Sequence, residues 1–338
     1  MVKLWKVSVR PILEYGCQLW GGETSEALTA KLEALQCEFG RSVLGCKYAP
    51  QAWVRQELGL ESLQLRWHMM IMKYWLRVSS MPDSRLVARV IRSRYGHLAA
   101  GGKSHSWCSS VLKLLDTYQA SPEWRAIGVG RVDSEQTQRL KGELERRMKD
   151  EQKRIAAGQV AAHESLRVCR MVQDDEPGKG IRHYLLDRRN PDGVILWSRL
   201  RSGTLPLMCT LGKKLEWPES LQDCPTCHSG DRETEAHFLV VCPVYDDIRR
   251  KLLDQMKLVL DAATWVRWNA AFQVRDEVCC IRLLLSTRSG MDNDRREVDG
   301  VVKNFLVKLW KRRTELCGRW TVCSANGAKR LVQETCKD

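Results

Sequence analysis

Between Thr24-Ser25 and Gly45, apolar residues recur at Leu28, Leu32, Leu35, Phe39 and Val43. Steps of four, three, four and four predict an amphipathic helix, with Gly45 as its stop. Pro50 opens a second helix at its first turn and Gly59 closes it. Ser62 is placed to cap a third, whose stripe is Leu65, Met69, Met72 and Leu76. From Pro82 the pattern predicts a basic helix, with Arg85, Arg89 and Arg92 on one face and Leu86, Val90 and Ile91 opposite. Residues 1–125 therefore read as one helical domain. Leu140, Leu144 and Met148 then repeat every four residues in a long helix over 134–156, whose many charges read as a solvated face. Asp174-Asp175-Glu176-Pro177-Gly178-Lys179-Gly180 reads as a loop and linker, so residues 126–195 form a charged helix plus linker. Helices are expected again from Tyr245 to about Val259, over Asp276–Leu285, and from Val301 to about Cys317, with a loop over Ser286–Asp294. No alternating segment of strand length and no internal repeat stands out. The expected fold class is mainly α, with a basic helical region over 251–338.

Within residues 196–250 lies Cys224-Pro225-Thr226-Cys227, then His237 and Cys242, a C-x2-C-x9-H-x4-C array. Zinc takes four soft or borderline ligands at tetrahedral corners, and a two-residue spacer lets both thiolates of a tight turn reach one ion. Pro225 stiffens that turn, and Ser229-Gly230-Asp231 bends the chain back towards His237. A continuous α-helix would aim His237 and Cys242 about 140° apart. Pro243 pushes Cys242 out of the helical region, so its thiol is expected to swing back to the ion. Buried thiols without a metal are the plain alternative, but spacing, turn chemistry and the proline agree on a Zn2+ site. His228 directly follows Cys227 and would strain the turn, which favours His237.

Charge narrows the partners. The net charge is +14 over 338 residues, which points to a polyanion. Residues 300–338 carry nine Lys or Arg against three acids, and residues 81–105 five against one. Arg85, Arg89 and Arg92, with Lys308, Lys311, Arg312 and Arg313, are the candidate phosphate contacts for RNA, DNA or an RNA–DNA hybrid. No run of eighteen apolar residues and no secretory signal is present, so no membrane role is expected. The 14 cysteines then belong in a reducing compartment, in the cytoplasm or nucleus, as metal ligands or buried thiols. Most of the 13 tryptophans fall at core-like helical positions, among them Trp67, Trp75, Trp265 and Trp268.

Two segments resemble the C-terminal part of non-LTR (LINE-like) retrotransposon reverse transcriptases. The first, Lys3-Leu4-Trp5-Lys6-Val7-Ser8-Val9-Arg10-Pro11-Ile12-Leu13-Glu14-Tyr15-Gly16-Cys17-Gln18-Leu19-Trp20, is similar to the segment that leads from the polymerase palm into the helical thumb. The second is Leu200-Arg201-Ser202-Gly203 followed by the array, with Glu233-Thr234, His237 and Cys242-Pro243-x-Tyr245-x-x-x-Arg249. The resemblance covers about residues 3–80 and 195–250. It implies a thumb-like helical domain, a cysteine-histidine unit and nucleic acid as partner, with a separate palm as a possible companion. The palm aspartates that hold two magnesium ions lie upstream of this segment in the family, so no polymerase activity is expected of this chain. Val244-Tyr245-Asp246-Asp247 only imitates them and reads as a helix start. Asp292, Asp294 and Asp299 lack a nuclease order, Pro191-Asp192-Gly193 reads as a turn, and no phosphate loop or nucleophile elbow is present. The expected function is nucleic-acid binding without catalysis. The alternatives are an incomplete polymerase piece and a structural or protein-binding remnant stapled by zinc.

Overall fold

Ser62 accepts a hydrogen bond from the Leu65 amide at 3.4 Å and starts the Leu63–Ser79 helix. Gly45 and Gly59 take left-handed backbone, φ 64° and 56°, where the helices before them stop. Such caps and stops punctuate a mainly α fold, described by a computed structural model for all residues except 103–105, 128–132, 173–179, 188, 287–294, 326–327 and 335–338. The expected linker at 174–180 and the loop after Ser286 fall almost wholly outside the described residues. Among the described residues no helix is long and apolar enough to cross a membrane. The chain divides into two compact units: Met1–Gly40 with Leu60–Gly158, and Arg41–Gly59 with Gln159–Asp338.

In the first unit, Leu65, Met72, Trp75 and Leu76 pack with Val111 and Leu115 of the Trp107–Thr117 helix. Leu140, Leu144 and Met148 of the Ser134–Ala162 helix complete that core, as their four-residue repeat requires. The Glu26–Leu44 helix presents another face than its apolar period predicts. Thr29, Glu33, Gln36 and Cys37 are buried, whereas Leu28 and Leu35 are exposed. Hydrogen bonding decides this. Glu33 accepts from the Ser62 hydroxyl at 2.6 Å, and Gln36 accepts from the Trp5 indole at 3.2 Å while donating to the Glu61 carbonyl at 2.9 Å. Fully partnered polar groups are tolerated inside a core.

The helix expected from Pro82 begins only at Leu86 and runs to Ala99. Pro82-Asp83 instead forms a turn, and Arg92 pairs with Asp83 while donating to the Ser79 and Met81 carbonyls at 3.2 and 2.6 Å. Among the described residues Ala88 and Tyr95 are the buried positions of this helix, and Leu86 and Val90 face solvent rather than a core.

In the second unit, Pro191-Asp192-Gly193 is the first turn of the Pro191–Arg201 helix, not a free-standing turn. Asn190 caps it, its Oδ1 accepting from the Gly193 amide at 2.8 Å, and Pro191 needs no amide partner there. The last helix is Arg295–Cys317, longer at its start than expected, and buries Val298, Val302, Phe305, Leu306 and Leu309. One core joins these residues to Trp197, Leu200, Phe238, Tyr245, Leu252 and Trp268, so the array of 224–242 shares a core with the helices around it. The Gln51–Leu58 helix belongs to this unit through Glu57. Its carboxylate accepts from Arg201 at 2.7 Å and from the Tyr184 hydroxyl at 2.9 Å, all three being fully buried. One strand pair was not foreseen: Arg319–Ala325 runs antiparallel to Ala328–Glu334, with Ala325 opposite Ala328. Asn326-Gly327 between them is a strong hairpin signal, but the charged and small residues of both arms hide the alternation.

Candidate metal centre

Two local structures bring the four ligands together. The first is the Cys224–Asp231 turn, closed at its base by an isolated antiparallel bridge between Asp223 and Arg232. The Cys224 amide donates to the Asp231 carbonyl at 2.7 Å, and the Glu233 amide to the Gln222 carbonyl at 2.9 Å. Positive φ values at His228 (51°) and Gly230 (80°) let the chain reverse within this short span. The His228 side chain points to solvent and takes no part in the cluster.

The second structure is one π turn, His237–Val241, in which the Cys242 amide donates to the His237 carbonyl at 2.8 Å. This turn was not legible beforehand. A wider turn needs more residues per revolution, so a five-residue step carries Cys242 less far around the axis than in an α-helix. Cys242 then leaves helical geometry at φ −55° and ψ 118°, as the following proline requires. The Thr234 hydroxyl accepts from the His237 amide at 3.1 Å and fixes the start of the turn.

The donor atoms of Cys224, Cys227, His237 and Cys242 all lie within 4.8 Å of one another. Cys224 Sγ and Cys242 Sγ are 4.0 Å apart, and Cys227 Sγ and His237 Nε2 3.4 Å. Tetrahedral zinc with bonds near 2.3 Å to sulfur and 2.0 Å to nitrogen needs separations of about 3.8 and 3.5 Å. These two pairs match such spacing to within a few tenths of an ångström, and the four residues could hold a metal ion. Three of its ligands are buried and Cys227 is half-buried, so one corner remains accessible.

A shell of hydroxyls and charges surrounds the donors. Thr226 Oγ1 lies 3.1 Å from Cys224 Sγ and 3.6 Å from Cys242 Sγ, and itself accepts from the Tyr245 hydroxyl at 3.4 Å. Ser229 Oγ lies 3.1 Å from Cys227 Sγ, and Asp231 stands 3.9 Å from His237 Nδ1. The buried Arg249 donates to the Cys242 carbonyl and, at 2.7 Å, to Asp246. Glu233 is clamped by Arg313 through two bonds of 2.6 and 2.7 Å, and caps the Met208–Leu215 helix by accepting from the Met208 amide at 2.7 Å. Without a metal the two neighbouring sulfurs share a hydrogen bond that lowers the pKa of Cys224 and raises that of Cys242. Burial works against the His237 imidazolium, but the Cys224 and Cys227 sulfurs outweigh it and raise its pKa to about 9. A divalent ion would replace these shared protons.

The candidate phosphate contacts fare unequally. Arg85, Arg89 and Lys308 are exposed, and Lys311 is exposed beside Glu315 at 3.9 Å. Arg312 is half-buried and lies 3.5 Å from Asp247. Arg92 is taken up in closing the turn at Asp83. Arg313 is fully buried on Glu233, so it holds the Arg295–Cys317 helix to the cysteine-histidine unit instead of facing a phosphate. Its basic neighbours misled the sequence reading, because helical period alone does not show which side is covered. Asp246 and Asp247 start the Asp246–Val259 helix and pair with Arg249, Arg275 and Arg312. Asp299 pairs with His183 at 2.7 Å, and Asp292 and Asp294 lie outside the described residues. Compared with protein-family models, curated proteins and solved structures, the chain finds no match.

Proposed function

We propose that this chain is a zinc-organised nucleic-acid-binding module, derived from a LINE-like reverse transcriptase and without a polymerase site of its own. The observation that carries this reading is the largely buried cluster of three sulfurs and one imidazole whose donor atoms lie within 4.8 Å of one another. Thiolate and imidazole donors suit zinc better than magnesium or calcium, which take oxygen. The ion would fix the 224–242 segment, and Glu233–Arg313 would transmit that order to the basic C-terminal helix. Arg85, Arg89 and Lys308 supply exposed cations, and the net charge of +14 supplies the long-range attraction to RNA, DNA or a hybrid. A cytoplasmic or nuclear setting goes with that role.

The test is binding of zinc-quantified protein to single-stranded RNA, duplex DNA and an RNA–DNA hybrid across a salt series. Tight binding that falls steeply with salt and is lost on chelation is the expected result. One zinc per chain with no binding to any of the three would leave a structural remnant. A second reading has its own support: Val7, Ile12, Tyr15 and Leu19 are 63, 75, 86 and 58% exposed. Exposed apolar side chains of this kind suit docking of a separate polymerase palm. Self-association of the purified chain would favour it, and a stable monomer would count against it.

A further inference from the structure

Tyr48 is 63% exposed at a tight turn of the second unit. The turn is rigidly built. The Ala49 amide donates to the Cys46 carbonyl at 3.1 Å, which makes Lys47 and Tyr48 the two central residues. Arg41 Nε donates to the Ala49 carbonyl at 2.8 Å, and Cys46 and Ala49 on either side are buried. Gly45 enters the turn with φ 64°, a conformation that costs glycine little. A ring held out of the core by buried neighbours is presented, not merely left over.

Cations gather at this ring. The Lys214 ammonium lies 4.6 Å from its centroid and that of Lys47 5.6 Å. Among the described residues the exposed tyrosine and tryptophan rings are Tyr15, Trp20 and Tyr48, and of these Tyr48 is the one with ammonium groups beside it. Burial and, after it, the nearby charge of Arg199 lower the pKa of Lys214. A flat exposed ring offers a stacking surface and the ammonium groups beside it offer phosphate contacts, so a base joined to its phosphates suits this place.

We infer that the Lys47–Tyr48 turn, with Lys214, binds single-stranded nucleic acid, Tyr48 stacking on a base while the two lysines neutralise adjacent phosphates. This site rests on the nucleic-acid reading above and gives it a location that Arg92 and Arg313 do not provide. It also sets a preference: duplex bases are already stacked and cannot reach the ring, so Tyr48 serves single strands.

The experiment is fluorescence anisotropy of the full chain with labelled oligo(U), oligo(dT) and a duplex of equal length. Tyr48→Ala is expected to weaken binding to both single strands about tenfold, Tyr48→Phe to retain it, and neither to alter duplex binding. Lys47→Ala is expected to lower the salt slope by about one for every ligand that occupies the turn. Since Tyr48 is exposed, unchanged zinc content and thermal midpoint will show that each variant is folded. If the parent binds single strands and Tyr48→Ala binds them equally well, or weakens duplex binding just as much, the stacking site is wrong. If the parent binds none of the three, the nucleic-acid reading falls and the site falls with it.

Discussion

Cys227 contributes the only half-buried donor of the cluster, and its sulfur is held 3.4 Å from His237 Nε2 by a turn of four residues. Serine there removes the soft donor while changing little else. Cys227→Ser is expected to lower zinc stoichiometry to near zero by atomic absorption; full retention of one zinc per chain would end the assignment. Thr226 acts differently, through a hydroxyl that reaches two sulfurs at 3.1 and 3.6 Å. Hydrogen bonds to metal-bound thiolates spread their charge, and losing such support costs about 10–100-fold in metal affinity. Thr226→Val should therefore keep one zinc at saturation yet release it to a competing chelator in that range. The ligands were readable in the sequence because x2 spacing, Pro225 and Pro243 are local instructions. The roles of Thr226, Tyr245 and Arg249 were not, since each depends on a partner that only the folded turn brings near.

Among the elements, the Pro191–Arg201 and Arg295–Cys317 helices meet where glycine allows it. A Cβ at Gly193 would sit 2.5 Å from the Lys303 Cβ and 3.0 Å from its Cα and carbonyl oxygen. Backbone atoms cannot step aside as a flexible side chain can. Gly193→Ala is expected to destabilise the second unit by about 1–3 kcal/mol in urea unfolding, and an unchanged midpoint would show that the helices part freely. Glu57 ties the Gln51–Leu58 helix into the same core through Arg201 and Tyr184. Removing one partner of a buried pair leaves an uncompensated charge, so Glu57→Ala should cost about 3–5 kcal/mol. Helix presence followed from the apolar period, whereas the buried side of the Glu26–Leu44 helix did not. Glu33 and Gln36 enter the core only because distant residues complete their hydrogen bonds.

At the scale of the whole molecule, each unit carries its own chemical lever. In the first, burial lowers the pKa of His68 to about 4, from 6.5. Its Nδ1 lies 2.7 Å from the Tyr118 hydroxyl. The folded state thus resists protonation that the unfolded chain accepts. Stability is complete above pH 6.5 and falls as pH drops towards 4, by a total on the order of 3 kcal/mol. His68→Asn should flatten that acid limb of the unfolding curve; an unchanged pH dependence would place the titration elsewhere. In the second unit the lever is the candidate metal cluster. Chelation should reduce amide protection over residues 222–259 while leaving the Leu63–Ser79 helix protected, and equal loss in both would contradict a site confined to one unit.

By itself the sequence determined a mainly α chain, the four candidate metal ligands, the helix stops at Gly45 and Gly59 and the excess of basic charge. These follow from local chemistry: period, capping, turn residues and ligand spacing act within a few positions of each other. Only the tertiary structure decided that Arg313 and Arg92 are spent on internal partners, that Glu33 and Gln36 lie inside, and that Tyr48 stands outside beside two lysines. Residues far apart in the chain set the solvation of each of those groups, and a charge or ring acts on a ligand only where the fold leaves it in water.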